Sequence, residues 1–156
     1  MRAFLISKQD YIYTGEGYSV QIMAADELFS FYLKTHYTVD GFQGPIRIDE
    51  HSAEADSFVA ETGNKSWVYI TAYNPFSKQI PEEQNMNLNQ VLEKEISLYP
   101  YRKGMGMDPE GKWPGEVSFL VAGIAREKAI ELAVKYRQNA VVYGEFGQPA
   151  ELLIPD

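Results

Sequence analysis

Trp67–Ser77, WVYITAYNPFS, is the stretch that decides the fold. Its first five residues, Trp67 to Thr71, are all aromatic or β-branched, the types that fit a pleated and half-buried surface. Asn74-Pro75 ends the run, because Pro fixes φ and withdraws an N–H while Asn bonds its own backbone. Thr71, Tyr73 and Asn74 are left at the exit, where polar groups spill from a strand into a loop. Folds that mix helices and strands commonly place their sites at such exits. The stretch therefore reads as the central strand, with any site at its end.

The flanking sequence supports that reading. Ser52–Thr62 predicts a helix, with Ser52 as N-cap, Glu54 near the positive end of the dipole, and Ala55, Phe58, Val59 and Thr62 on one face. Gly63 supplies its left-handed stop. After Pro75 a second helix is expected over about Glu82–Leu98, with Leu88, Val91, Leu92, Ile96 and Tyr99 as its apolar stripe. Asn85, Asn87 and Asn89 are poor residues for that helix interior. Either the helix starts later, the reading slightly favoured here, or some of these amides have partners to serve.

Pro100–Gly115 reads as a long irregular loop carrying Arg102, Asp108 and Trp113. Val117–Ile124 is apolar apart from Ser118 and predicts a strand buried on both faces. A helix over Arg126–Tyr136 follows, then a break at Gln138-Asn139, a buried strand over Ala140–Tyr143, and a short edge at Leu152–Ile154. Toward the N-terminus, Asp26–Lys34 predicts a short helix. Tyr37–Val39 and Ile46–Ile48 predict a hairpin around Asp40-Gly41. Residues 1–23 predict a further hairpin with Tyr11, Tyr13, Tyr18, Val20 and Ile22 in its arms. The expected architecture is α+β: one domain, a mixed sheet with helices packed on it, and an N-terminal hairpin-like extension over residues 1–25.

Composition narrows the function classes. At 156 residues with 45% apolar content the chain can bury a core without staples. It has no cysteine, which removes thiolate catalysis, disulfides and Cys-based metal sites and fits a reducing cytoplasm. The apolar run Ala3–Ile6 is too short for a signal peptide core or a membrane span, so a soluble cytoplasmic protein without membrane partners is expected. The net charge of −8, spread without a basic run, disfavours nucleic acid as a partner.

The quoted motifs, FYLKTHYTV, YITAYNPFS, an Asn-bearing helix, GMDPEGKWPGEVSFLVAGI and KYRQNAVVY, together resemble the bacterial domain-of-unknown-function family 3293 over roughly residues 29–153. The resemblance implies a fold unit and a cytoplasmic context. It implies no activity and no catalytic residue.

Familiar catalytic patterns fail in turn. Gly104, Gly106 and Gly111 lack dinucleotide-binding spacing, Lys103 precedes rather than follows the glycines, and Ser118 lacks the nucleophile-elbow glycines. His36 and His51 are not at metal-ligand spacing, and Asp49, Glu50 and Glu54 make only a weak hard-cation candidate. No metal and no cofactor is expected.

Three polar sets are left. Thr71, Tyr73 and Asn74 could orient a ligand, though Asn74-Pro75 alone is most simply a turn. Trp113, Glu116 and Ser118 form the second. Glu116 stands before a buried strand, where a carboxylate must be paired, hydrogen-bonded or neutralised. It could be a general base or ligand acceptor, or it could form a clamp with Arg102. Gln138 and Asn139 form the third: they could read a planar polar ligand, but capping a helix end is their commoner use.

The three sets make one site only under a condition. An antiparallel neighbour running from Val117 returns Glu116 beside Asn74, whereas a parallel one sends them to opposite ends of the sheet. The function expected is binding of, or action on, a polar, nucleotide-like small molecule at the end of the central strand, with Glu116 as the catalytic candidate. The competing expectation is a protein-binding or inhibitory module using the Tyr-rich N-terminal hairpin and the acidic surface.

Overall fold

The structure, a computed structural model, describes residues 12–14, 21–23 and 25–155, with side chains from Leu28 onward. The elements in chain order are β1 (Ile12–Thr14), β2 (Gln21–Met23), α1 (Ala25–Lys34), β3 (His36–Val39), α2 (Ala53–Glu61), β4 (Ser66–Ile70), α3 (Glu82–Ile96), β5 (Tyr101–Met107), β6 (Glu116–Ala122), α4 (Arg126–Lys135), β7 (Val141–Glu145) and β8 (Glu151–Leu153). β1 and β2 pair antiparallel, as the hairpin reading requires. Tyr11, Tyr18 and Val20 lie outside the described residues, and of Tyr13 and Ile22 only the backbone is described.

Six strands form one curled antiparallel sheet in the order β3-β5-β6-β4-β7-β8. β4 lies inside it between β6 and β7, so WVYI is a central strand. Strand alternation sends its side chains to both faces. Val68 and Ile70 join Phe119 and Val121 of β6 under α3 and α4, where Leu92, Ile96, Leu132 and Ala133 complete one core. Trp67 and Tyr69 join Leu120 and Ala122 on the other face, against Phe58 and Val59 of α2. The α+β, single-sheet expectation holds, and every pairing within the sheet is antiparallel.

Three local expectations are overturned, the third of them the late start of α3. Nearly half of the expected loop Pro100–Gly115 is strand β5, and Pro100 and residues 108–115 are irregular. Glycines 104 and 106 disguised it, since glycine is depleted in strands. Packing explains Gly104: a Cβ there would stand 1.9 Å from the Thr38 carbonyl oxygen of β3. The hairpin expected between Tyr37–Val39 and Ile46–Ile48 reduces to one bridge, Tyr37 to Ile46. The long partner of β3 is instead β5, and Ile48 bridges to Ala150.

α2 begins as its sequence predicts, with Ser52 Oγ accepting from the Ala55 N–H at 3.1 Å. α3 does not start late: it runs from Glu82 with Asn85 and Asn89 inside it, both buried, while Asn87 is exposed.

A carboxylate and two asparagines at a parted ladder

The antiparallel register of β4 and β6 runs from Trp67 opposite Ala122 to Ile70 opposite Phe119. Continued, it would set Ala72 opposite Val117. That pair does not close. Asn89 of α3 enters between them: its Oδ1 accepts from the Ala72 N–H at 2.8 Å, and its Nδ2 donates to the Val117 carbonyl at 2.8 Å. The carboxamide thus replaces one peptide-to-peptide bond by two, and the strands separate. Thr71 Oγ1 also donates to the Val117 carbonyl at 2.7 Å, and accepts from the Tyr73 N–H at 3.1 Å.

One helical turn earlier, Asn85 repeats the arrangement. Its Oδ1 accepts from the Asn74 N–H at 2.8 Å, and its Nδ2 donates to Asn74 Oδ1 at 2.9 Å. The spacing has a geometric basis. Four helical residues rise about 6 Å, close to the roughly 6.6 Å between alternate N–H groups of an extended chain. Running antiparallel to the exit of β4, the helix offers Asn89 to residue 72 and Asn85 to residue 74.

This chain of bonds also fixes polarity. A backbone N–H can only donate, so Asn85 Oδ1 accepts and its Nδ2 donates. Asn74 Oδ1 therefore accepts, and Asn74 Nδ2 is left to donate to Glu116 Oε1 at 2.8 Å. The Ile80 N–H also points at Asn74 Oδ1, at 3.3 Å. Asn74 is no simple turn residue, although it has the left-handed conformation of one, with φ 48°. Phe76 and Ser77 follow with φ 54° and 60°, a conformation that costs ordinary L-residues about 1–2 kcal/mol each. The Phe76 N–H to Arg137 carbonyl bond, 2.6 Å, and the Asn139 Nδ2 to Ser77 Oγ bond, 2.8 Å, hold the segment in place.

Glu116 opens β6 opposite Gly106 of β5 and is half-buried. Burial pushes its carboxyl above the ordinary range, and the Asn74 hydrogen bond pulls the other way. Its second oxygen, Oε2, has neither a hydrogen-bond partner nor a cation among the described residues. The carboxyl borders a cavity of about 1230 Å³, beyond the roughly 300–1,000 Å³ usual for small-molecule sites. Phe31 and Tyr32 of α1, Tyr37, Tyr69 and Trp113 supply aromatic walls. Trp113 packs edge-on against Phe31, centroids 4.3 Å apart, and so ties the 108–115 segment to α1.

The residues predicted from sequence divide as follows. Thr71, Tyr73, Asn74, Asp108, Trp113, Glu116, Ser118 and Gln138 all border this one cavity. Several have little left to offer a ligand. Ser118, buried, donates to the Glu116 carbonyl at 2.9 Å. Asp108 accepts from the N–H groups of Glu110 and Lys112, closing its own loop. The Tyr73 phenol donates to Glu82 at 2.6 Å and is pushed up to about 12, first by burial and then by that bond. Gln138 Nε2 donates to the carbonyls of Tyr73 and Tyr136, both at 3.1 Å, so it caps the end of α4 while facing the cavity. Asn139 braces Ser77 and is not among the cavity's lining residues.

Arg102 is the clear departure. It lies four residues along β5 from the partner of Glu116, about 13 Å of strand, so no clamp forms. Its guanidinium stacks near Phe42 and Phe58 at 5.9 and 5.4 Å and donates to the Asp40 carbonyl. The hard-cation candidate dissolves as well, since Glu54 accepts from the N–H groups of Gln43 and Gly44. Among the described residues no acidic or histidine cluster could hold a metal ion, and no helix is long and apolar enough to cross a membrane.

Sequence reasoning undervalued Asn85 and Asn89. The available signal was their i, i+4 spacing on one face of a helix they disfavour.

No curated protein and no solved structure matches this chain. Residues 70–141 match the family model described as a protein of unknown function, DUF3293, a narrower span than the resemblance suggested. That span runs from the last residue of β4 to the first of β7 and contains the strained turn, both buried asparagines and Glu116, and over it the chain is similar to DUF3293.

Proposed function

We propose that this chain is a small-molecule-binding domain that takes a polar, nucleotide-like molecule at the end of β4, with Glu116 as the acceptor that orients it. One observation carries the reading. A half-buried carboxylate is held on one oxygen by Asn74, has no cation beside it among the described residues, and borders a large cavity with aromatic walls. Keeping a carboxylate so desolvated is unfavourable for folding alone. The strained turn supports the same reading, because backbone strain of this kind collects at functional sites. Aromatic walls suit a planar molecule, and a few placed polar groups suit its edge.

The test is a thermal-shift panel of nucleobases, nucleosides, nucleotides and small metabolites on the wild type, Glu116→Ala and Gly106→Val. A ligand at a hundred times its Kd should raise Tm by about 5–10 °C. Both variants should abolish that rise, the first by removing the acceptor and the second by filling the cavity. A flat panel on the wild type, or a shift that persists in both variants, overturns the reading.

A further inference from the structure

The groups at the Glu116 end of the cavity are unequal in what they can still offer. The polarity running through Asn85 and Asn74 commits Asn74 Nδ2 to Glu116 Oε1. Gln138 Nε2 spends both its hydrogens on the carbonyls of Tyr73 and Tyr136. Tyr73 has given its proton to Glu82, Ser118 its proton to the Glu116 carbonyl, and Thr71 its proton to Val117. Glu116 Oε2 and Gln138 Oε1 are acceptors without partners among the described residues, while the Tyr32 hydroxyl, which borders the same cavity, still has a proton to donate. A ligand that engages Glu116 itself must therefore bring donors.

On this basis, which rests on the cavity reading proposed above, we infer that the ligand is a planar molecule presenting two adjacent N–H donors to Glu116, the amidine-type edge that a guanine base carries. A carboxylate offers two oxygens in one plane at the spacing of such an edge, the geometry that makes paired donors its strongest partners. An adenine edge sets a ring-nitrogen lone pair beside its amino group, and that lone pair would face Glu116 oxygen to nitrogen. The ring of the ligand would lie among Tyr32, Phe31 and Trp113, whose faces suit stacking with any base and so leave the choice of edge to the carboxylate.

Calorimetric titration of the full chain with guanosine, inosine, adenosine and benzamidine tests this. Guanosine should bind at least about tenfold more tightly than inosine, which lacks the 2-amino donor, and adenosine more weakly still. Benzamidine shares the paired donors without the ribose and should bind in a Glu116-dependent way. Glu116→Gln replaces one acceptor by a donor and should erase the preference of guanosine over inosine while the variant remains folded by circular dichroism. Three results overturn the inference: adenosine binding as tightly as guanosine, an unchanged preference in Glu116→Gln, or neither guanosine nor benzamidine binding. If any of these coincides with a Glu116-dependent hit elsewhere in the thermal-shift panel, the donor edge is wrong and the cavity reading survives. A flat panel removes both.

Discussion

At the scale of single residues, the two asparagines of α3 carry the argument. Asn89→Ala leaves the Ala72 N–H and the Val117 carbonyl without their bridging amide. Loss of a buried partner of this kind should cost about 1–3 kcal/mol, read as a lower urea midpoint with an unchanged m-value. Asn85→Ala frees the Asn74 N–H and leaves Asn74 Oδ1 with only the longer bond from the Ile80 N–H, and should also weaken any Glu116-dependent ligand response, because Asn74 is then less firmly oriented. Glu116 makes a prediction of opposite character. Its folded pKa lies above the usual 4.5, so the unfolded chain ionises first as pH rises. Stability from this group is full below 4.5 and falls as pH climbs through the folded value. The Tm of Glu116→Gln minus that of the wild type should therefore grow from acid to neutral pH; a flat difference would show that the carboxyl is not desolvated. The sequence made the need for a partner at Glu116 visible, because a carboxylate beside a buried strand must have one. It did not make the partner visible, because Arg102 and Asn74 were both within reach until the register was known.

At the scale of elements, β5 shows why part of the fold escaped sequence reading. Glycine in a strand lowers the propensity signal, yet here the close approach of β3 requires it. Gly104→Ala would drive a methyl into the Thr38 carbonyl and should cost several kcal/mol, on the order of the severest overpacking changes, or prevent folding. Gly106→Ala meets nothing nearer than Ser118 Oγ at 3.9 Å, so it should fold normally and act only by narrowing the cavity. Denaturation of the two variants side by side checks the contrast. Helix ends and buried strands were legible for the opposite reason. Ser52, Gly63 and the apolar run of β6 answer local rules, whereas strand pairing depends on neighbours far off in sequence.

At the scale of the molecule, one sheet serves two cores. β6 sends Phe119 and Val121 toward α3 and α4, and Leu120 and Ala122 toward α2. Loss of packing on either face should therefore be felt on both. Phe119→Ala should cost about 3–5 kcal/mol, and fluorescence from Trp67 on the far face should lose its native signal in the same transition as the helical circular dichroism. Two separated transitions would show that the layers are independent.

The insertion of Asn89 has a consequence for how such a domain can change. The β4–β6 seam behaves like a zip whose slider is stopped at Ile70 and Phe119, and the stop belongs to a helix rather than to either row of teeth. Variation along the strands can thus tune packing without closing the gap, while a single amide on α3 decides whether there is a gap at all.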